Sequence, residues 1–205
     1  KKNDPTIPYV RLGCVSSAII PMMYSIISFL IVLGSLQPLQ PKPPMLMKAK
    51  QTKVPMGKKF DFWLGKWNAN WKNADGTTGK GTNEITRILN GKVIKENFIV
   101  KADKKLKGIH GLSFSVYSPV TKQWKQTWVD NQGAYLDFYG KFDGDKRIFR
   151  REFTGTQGKI KGKKIAQRMV FYNIKPDSFD WDWELSLDGG KTWKLSWRIR
   201  YTKIK

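Results

Sequence analysis

The chain has 205 residues, with 38 Lys and Arg against 16 Asp and Glu, for a formal net charge of +22. Its 40% hydrophobic and 26% charged content is that of an ordinary globular protein and excludes compositional disorder. One Cys and one His exclude a disulfide framework and the common His/Cys zinc sites, so neither a metal nor a cofactor is expected.

Residues 15 to 41 carry no charge, and Tyr24-Ser-Ile-Ile-Ser-Phe-Leu-Ile-Val-Leu-Gly-Ser-Leu36 is an apolar run of signal-peptide length. A membrane span needs about 20 apolar residues, and Pro21 interrupts the longer stretch that begins at Val15. Met22 or Met23 is a candidate start, and Gly34 with Ser35 supplies small residues for cleavage. The segment is read as an export signal, giving a periplasmic or secreted protein, with a retained N-terminal anchor as the alternative. Arg11-Leu-Gly-Cys14 resembles a lipoprotein acylation site only superficially, since that chemistry needs the apolar region before the Cys. Pro38, Pro41, Pro43 and Pro44, followed by Lys42, Lys48, Lys50 and Lys53, then read as an extended tether. The expected organisation is a leader over 1–37, a linker over 38–55 and a compact domain over 56–205.

Beyond Pro55 the period is two. Apolar and polar residues alternate over about 67–73, 82–89, 92–101, 109–118, 123–130, 134–141, 146–154 and 164–174, with turn sequences such as Asn90-Gly91 and Asp143-Gly-Asp145 between them. Phe179, Trp181, Trp183 and Leu185 alternate with Asp180, Asp182 and Glu184. Trp193, Leu195, Trp197, Ile199 and Tyr201 form a second inward set. If Ser186 pairs with Thr192 around Asp188-Gly-Gly, the inner faces match as Trp183–Leu195, Trp181–Trp197 and Phe179–Ile199. The outer faces then match as Glu184–Lys194 and Asp180–Arg198. About ten antiparallel strands joined by short turns predict an all-β up-and-down barrel, which removes exposed strand edges.

Phe60-Asp-Phe-Trp-Leu-Gly-Lys-Trp67 resembles the N-terminal motif of the domain of unknown function 1579 family, uncharacterised bacterial proteins with a lipocalin-like barrel. Arg87-Ile-Leu-Asn-Gly-Lys-Val-Ile-Lys-Glu-Asn97, Tyr117-Ser-Pro-Val-Thr-Lys-Gln-Trp-Lys-Gln-Thr-Trp-Val-Asp130 and Asp188-Gly-Gly-Lys-Thr-Trp193 extend the resemblance across residues 60 to 203. It implies a fold and an export habit, and no agreed activity. Gly65-Lys-Trp67 is also similar to the Gly-x-Trp of lipocalins, where the Trp plugs the barrel floor; that likeness implies that Arg198 or Arg200 packs on Trp67. Ser186-Leu-Asp-Gly-Gly-Lys-Thr-Trp193 fits the Asp-box of sialidase propellers too, but it occurs once in a short domain and reads as a turn.

Exceptions to the alternation locate candidate site residues. With Asn90-Gly91 as the hairpin loop, Arg87 and Glu96 are the polar members of an otherwise apolar face, which predicts an interior ion pair or a polar ligand contact. The alternative is a shifted register with one of them outside. His110 shares parity with Leu112, Phe114 and Val116, so His110 and Phe114 are expected inside near a rim. Haem ligation by this His is disfavoured because the final strand, Trp193 to Ile204, carries no His, and haem-binding barrels that this architecture resembles place theirs towards the chain's end. Trp128 shares a face with Trp124 and Gln126, and Trp183 and Trp197 lie on inward faces. These aromatics either pack the core or line a cavity with Gln126 as a polar contact.

No nucleophile elbow, phosphate-binding loop or metal-ligand cluster is present, so no catalytic residue is assigned and an enzyme is the less favoured class. Asp180, Asp182 and Glu184 read as outward cross-strand partners rather than paired acids. The favoured function is binding of a small, largely apolar ligand inside an exported barrel. The alternatives are polyanion or nucleic-acid binding through the basic exterior, and a structural role at an anionic envelope surface. Of the charge, 32 basic and 15 acidic residues lie from residue 52 onward, scattered on outward positions and turns. Most Trp residues take the opposite parity, whereas nucleic-acid stacking needs both on one accessible surface.

Overall fold

The structure, a computed structural model, describes residues 54–205. The predicted leader, the linker as far as residue 53, and Cys14 lie outside the described residues. Ten strands follow in order: β1 (Gly65–Lys72), β2 (Thr78–Ile88), β3 (Val93–Ala102), β4 (His110–Ser118), β5 (Gln123–Asp130), β6 (Tyr135–Asp143), β7 (Lys146–Thr154), β8 (Lys164–Lys175), β9 (Ser178–Ser186) and β10 (Lys194–Lys203). Each pairs antiparallel with its sequence neighbours, and β1 pairs with β10 from Trp67↔Lys203 to Asn70↔Arg200, closing the barrel. The only helical elements among the described residues are three single 3-10 turns, at Met56–Lys58, Asp61–Trp63 and Gly158–Ile160.

One end is sealed by the segment that precedes β1. Phe60 is fully buried, stacked on Phe149 at 4.4 Å between ring centroids and set edge-on to Trp124 at 5.1 Å. Phe62 continues the plug towards Phe171 and Phe179. Gly65, at φ +129°, lets the chain turn from the plug into β1, a conformation that side chains disfavour. Trp67 is buried with its Nε1 donating to the Trp63 carbonyl at 2.7 Å. The cation over its ring is Lys203, with Nζ 5.4 Å from the centroid, and not Arg198 or Arg200. Those two arginines face outward and bind carboxylates across the β9–β10 ladder.

The β9–β10 register differs from the sequence expectation. Trp183 faces Trp197, Trp181 faces Ile199 and Phe179 faces Tyr201, with an irregularity between Leu195 and Trp197. On the outside, Arg198 forks onto Asp182 at 2.8 and 2.7 Å, and Arg200 binds Asp180 at 2.8 Å. The cause lies in the turn. Asp188 accepts from Ser186 Oγ (2.6 Å), the backbone N–H groups of Lys191 and Thr192 (both 3.0 Å) and Thr192 Oγ1 (2.6 Å). Residues 187–193 are therefore held as a loop, and Thr192 does not pair with Ser186. Leu195 and Trp193 consequently leave the inward set. Leu195 is exposed, and Trp193 lies outside with Arg168 4.0 Å and Arg150 5.2 Å from its ring.

The other eight Trp residues belong to the interior or pack against it. Phe60 anchors the sealed end with five other aromatic rings around it. Phe60→Ala should therefore cost about 3–5 kcal/mol in urea unfolding without changing the strand content seen by far-UV circular dichroism.

Candidate binding site

The site grows out of one strand whose pattern is inverted. In β4 the inward residues are Gly111, Ser113 and Ser115, and the outward ones are Leu112, Phe114 and Val116. Ser113 and Ser115 are fully buried, whereas Phe114 and Val116 are exposed. His110 and Phe114 therefore point outward, contrary to the parity argument. His110 is exposed, with Nε2 2.6 Å from Asn97 Oδ1 on the neighbouring strand. The inversion follows from volume: a Cβ added at Gly111 would lie 2.0 Å from the Trp128 ring, so the indoles of β5 leave room only for small β4 side chains.

Small serines bring hydroxyls into the barrel, and these meet Glu96. Glu96 is 7% exposed and faces inward from β3. Asn83 Nδ2 donates to its Oε1 at 2.7 Å, and Ser113 Oγ donates to its Oε2 at 2.6 Å. Gln126 Nε2 donates to Ser113 Oγ at 3.2 Å and Ser115 Oγ at 3.1 Å, so one hydrogen-bonded chain crosses four strands. Tyr201 adds its hydroxyl 3.5 Å from Asn83 Nδ2.

Arg87 does not join this chain. It faces Ile94 across the ladder, while Glu96 faces Ile85. Its guanidinium instead pairs with Asp61 of the plug and donates to the Gly91 carbonyl at 2.6 Å. The predicted Arg87–Glu96 pair is thus replaced by two separate roles. Arg87 clamps the plug, and Glu96 remains a lone carboxyl inside.

Without a cation, burial dominates Glu96 and raises its pKa to about 7, against the opposing hydrogen bonds from Ser113 and Asn83. Burial and the neighbouring Glu96 charge also push the Tyr201 phenol up. Two carbonyl oxygens in the same chain, Asn83 Oδ1 and Gln126 Oε1, are buried with no hydrogen-bond partner. Such atoms are rare in folded proteins and each is costly.

Towards the open end, aromatics cover this chain. Trp128, Trp183 and Trp197 point inward as expected and are half-buried, as is Trp181. Trp197 lies edge-on to Trp71 at 5.2 Å and to Trp181 at 5.6 Å, and its Nε1 is buried without a partner. Phe98 packs against both Trp128 and Trp197. Among the expected site residues, the structure brings together Glu96, Gln126, Trp128, Trp183 and Trp197, and removes Arg87, His110 and Phe114. Sequence reasoning missed Asn83, Ser113, Ser115 and Tyr201. Parity placed Tyr201 inside without a role, while the inversion of β4 hid the serines.

Two cavities open at the surface: one of about 680 Å³ on the outer wall of β4–β6, and one of about 460 Å³ beside the plug at Phe62 and Ile174. Among the described residues no group of three His, Cys, Asp or Glu side chains is placed to hold a metal.

The buried carboxyl has a thermodynamic signature. A folded-state pKa raised from 4.5 to about 7 favours folding with the proton on, so stability falls as pH rises between those values. Glu96→Gln should remove this dependence. The stability gap between variant and wild type in urea titrations should widen by up to about 3 kcal/mol from acid to neutral pH.

No protein-family model matches this chain and no curated protein matches it in sequence, so the site is described by its own geometry.

Proposed function

We propose that the barrel binds a small, largely apolar ligand through its aromatic open end, with the Glu96 chain receiving the ligand's polar group. The observation that carries this reading is the lone Glu96 carboxyl flanked by two unpartnered carbonyls, Asn83 Oδ1 and Gln126 Oε1. A buried carboxyl without a counter-ion costs stability, and a group donating N–H or O–H would repay part of that cost. The half-buried indoles at Trp128, Trp183 and Trp197 supply flat apolar contact. The four motifs that resemble the domain of unknown function 1579 family, and the apolar run at Tyr24–Leu36, support an exported protein of that family. Native mass spectrometry of the folded protein should reveal a co-purifying small molecule bearing a hydrogen-bond donor, and Glu96→Leu should abolish it. A protein free of adducts whose Asn83 and Gln126 carbonyls meet only ordered water in a high-resolution crystal structure would overturn the reading.

One observation favours a second reading, attraction to a polyanion. The segments between strands at the open end carry seven lysines and three aspartates, against five and three at the plugged end. Lys104, Lys105 and Lys107 lie between β3 and β4, after Lys101 near the end of β3; Lys159, Lys161 and Lys163 lie between β7 and β8, before Lys164 at the start of β8. The aspartates there are engaged locally. Asp103 accepts from Trp71, Asn73 and two backbone N–H groups, and Asp130 from Trp128 and two more. On this reading DNA or anionic vesicles bind at low salt with affinity falling steeply as salt rises; no binding at low salt eliminates it.

A further inference from the structure

The inverted pattern of β4 leaves Leu112, Phe114 and Val116 on the outer wall, where a soluble barrel ordinarily presents polar side chains. Phe114 and Val116 are 37% and 40% exposed and floor the cleft of about 680 Å³. Across the ladders, Val116 stands beside Lys125 and Tyr139, and Phe114 beside Thr127 and Asp137. Lys95 flanks Phe114 from the other side. We infer that this cleft is a second binding site, distinct from the barrel interior, for an amphipathic organic anion whose apolar body lies on Phe114 and Val116 and whose acidic head meets Lys125.

Three observations select that chemistry. The volume suits one small molecule. The floor is apolar, and the Tyr139 ring adds a flat wall beside it. Lys125 is exposed and makes no salt bridge among the described residues, so its ammonium is available to an acidic head. Asp137 is the one carboxylate of the lining. It lies in the other cross-strand row, opposite Thr127, so the Lys125 edge is left to the anion. The net charge of +22 favours an anion over a cation at long range as well.

Dodecanoate below its micelle concentration is a suitable probe, followed by two-dimensional amide NMR and calorimetry. Saturable shifts are expected at Phe114, Val116, Lys125 and Tyr139. Phe114→Ser and Lys125→Glu should each weaken binding at least tenfold, and dodecyltrimethylammonium should bind at least tenfold more weakly than dodecanoate. Lys125→Glu changes an exposed side chain and carries the test if Phe114→Ser fails to fold. Shifts confined to Trp183, Trp197 and Glu96 would place the probe in the interior and overturn this inference while supporting the interior site. Equal binding of the cationic probe, unchanged affinity in Lys125→Glu, or no binding at all would overturn it too. Loss of the interior site through Glu96→Leu should leave dodecanoate binding on the wall unchanged.

Discussion

The structure depends on filling a ten-stranded interior. A closed barrel of that size encloses more space than aliphatic side chains cover, and this chain fills it with indoles and phenyl rings. Each large ring then dictates something small opposite. A Cβ at Gly79 would lie 2.0 Å from the Trp71 ring, and one at Gly111 the same distance from Trp128. The serines of β4 answer the same demand, and their hydroxyls make an interior carboxyl tolerable. The plug completes the filling from one end, with Phe60 in the centre of a ring cluster and Arg87 fastening its strand to Asp61. Interior polarity is thus a consequence of packing as well as a candidate for recognition.

The fold was legible because alternation along a strand is a local property. All ten strands follow the expected segments to within a few residues, since a one-sided core forces period two wherever the chain runs extended. Phase was less legible. In β4 the apolar residues look like a core face, yet the indoles of β5 had already claimed the volume, and sequence does not display that competition. The β9–β10 register failed for a related reason. Asp188 gathers the loop through side-chain hydrogen bonds, and the strand irregularity near Leu195 absorbs the change. Glu96 and Gln126 were found because a polar residue on an apolar face stands out. Arg87 stood out equally, but its partner Asp61 sits in a segment with no periodicity to place it.

Charge and aromaticity are largely separated by the wall of the barrel. Four exterior ion pairs run along β7–β10, where Asp182, 4% exposed, holds Arg198, and Glu184 holds Arg168 at 2.5 Å. Burial, with the Asp182 charge beside it, pushes the Tyr172 phenol up to about 12. Trp193 is the exception outside, and there the arginines cover it. Its ring is shielded by cations already committed to Glu152 and Glu184, which makes it a poor platform for a nucleic-acid base.

The β1–β10 ladder has a consequence for how the molecule is made. It joins Trp67 to Lys203, the most distant pairing in the sheet, whereas every other ladder links neighbours in the chain. Hairpins can form as they are synthesised, but the closing seam waits until the last strand has left the ribosome. Until then β1 presents an open edge with Trp67 and Trp71 beside it, the kind of surface on which chaperones act and aggregates start.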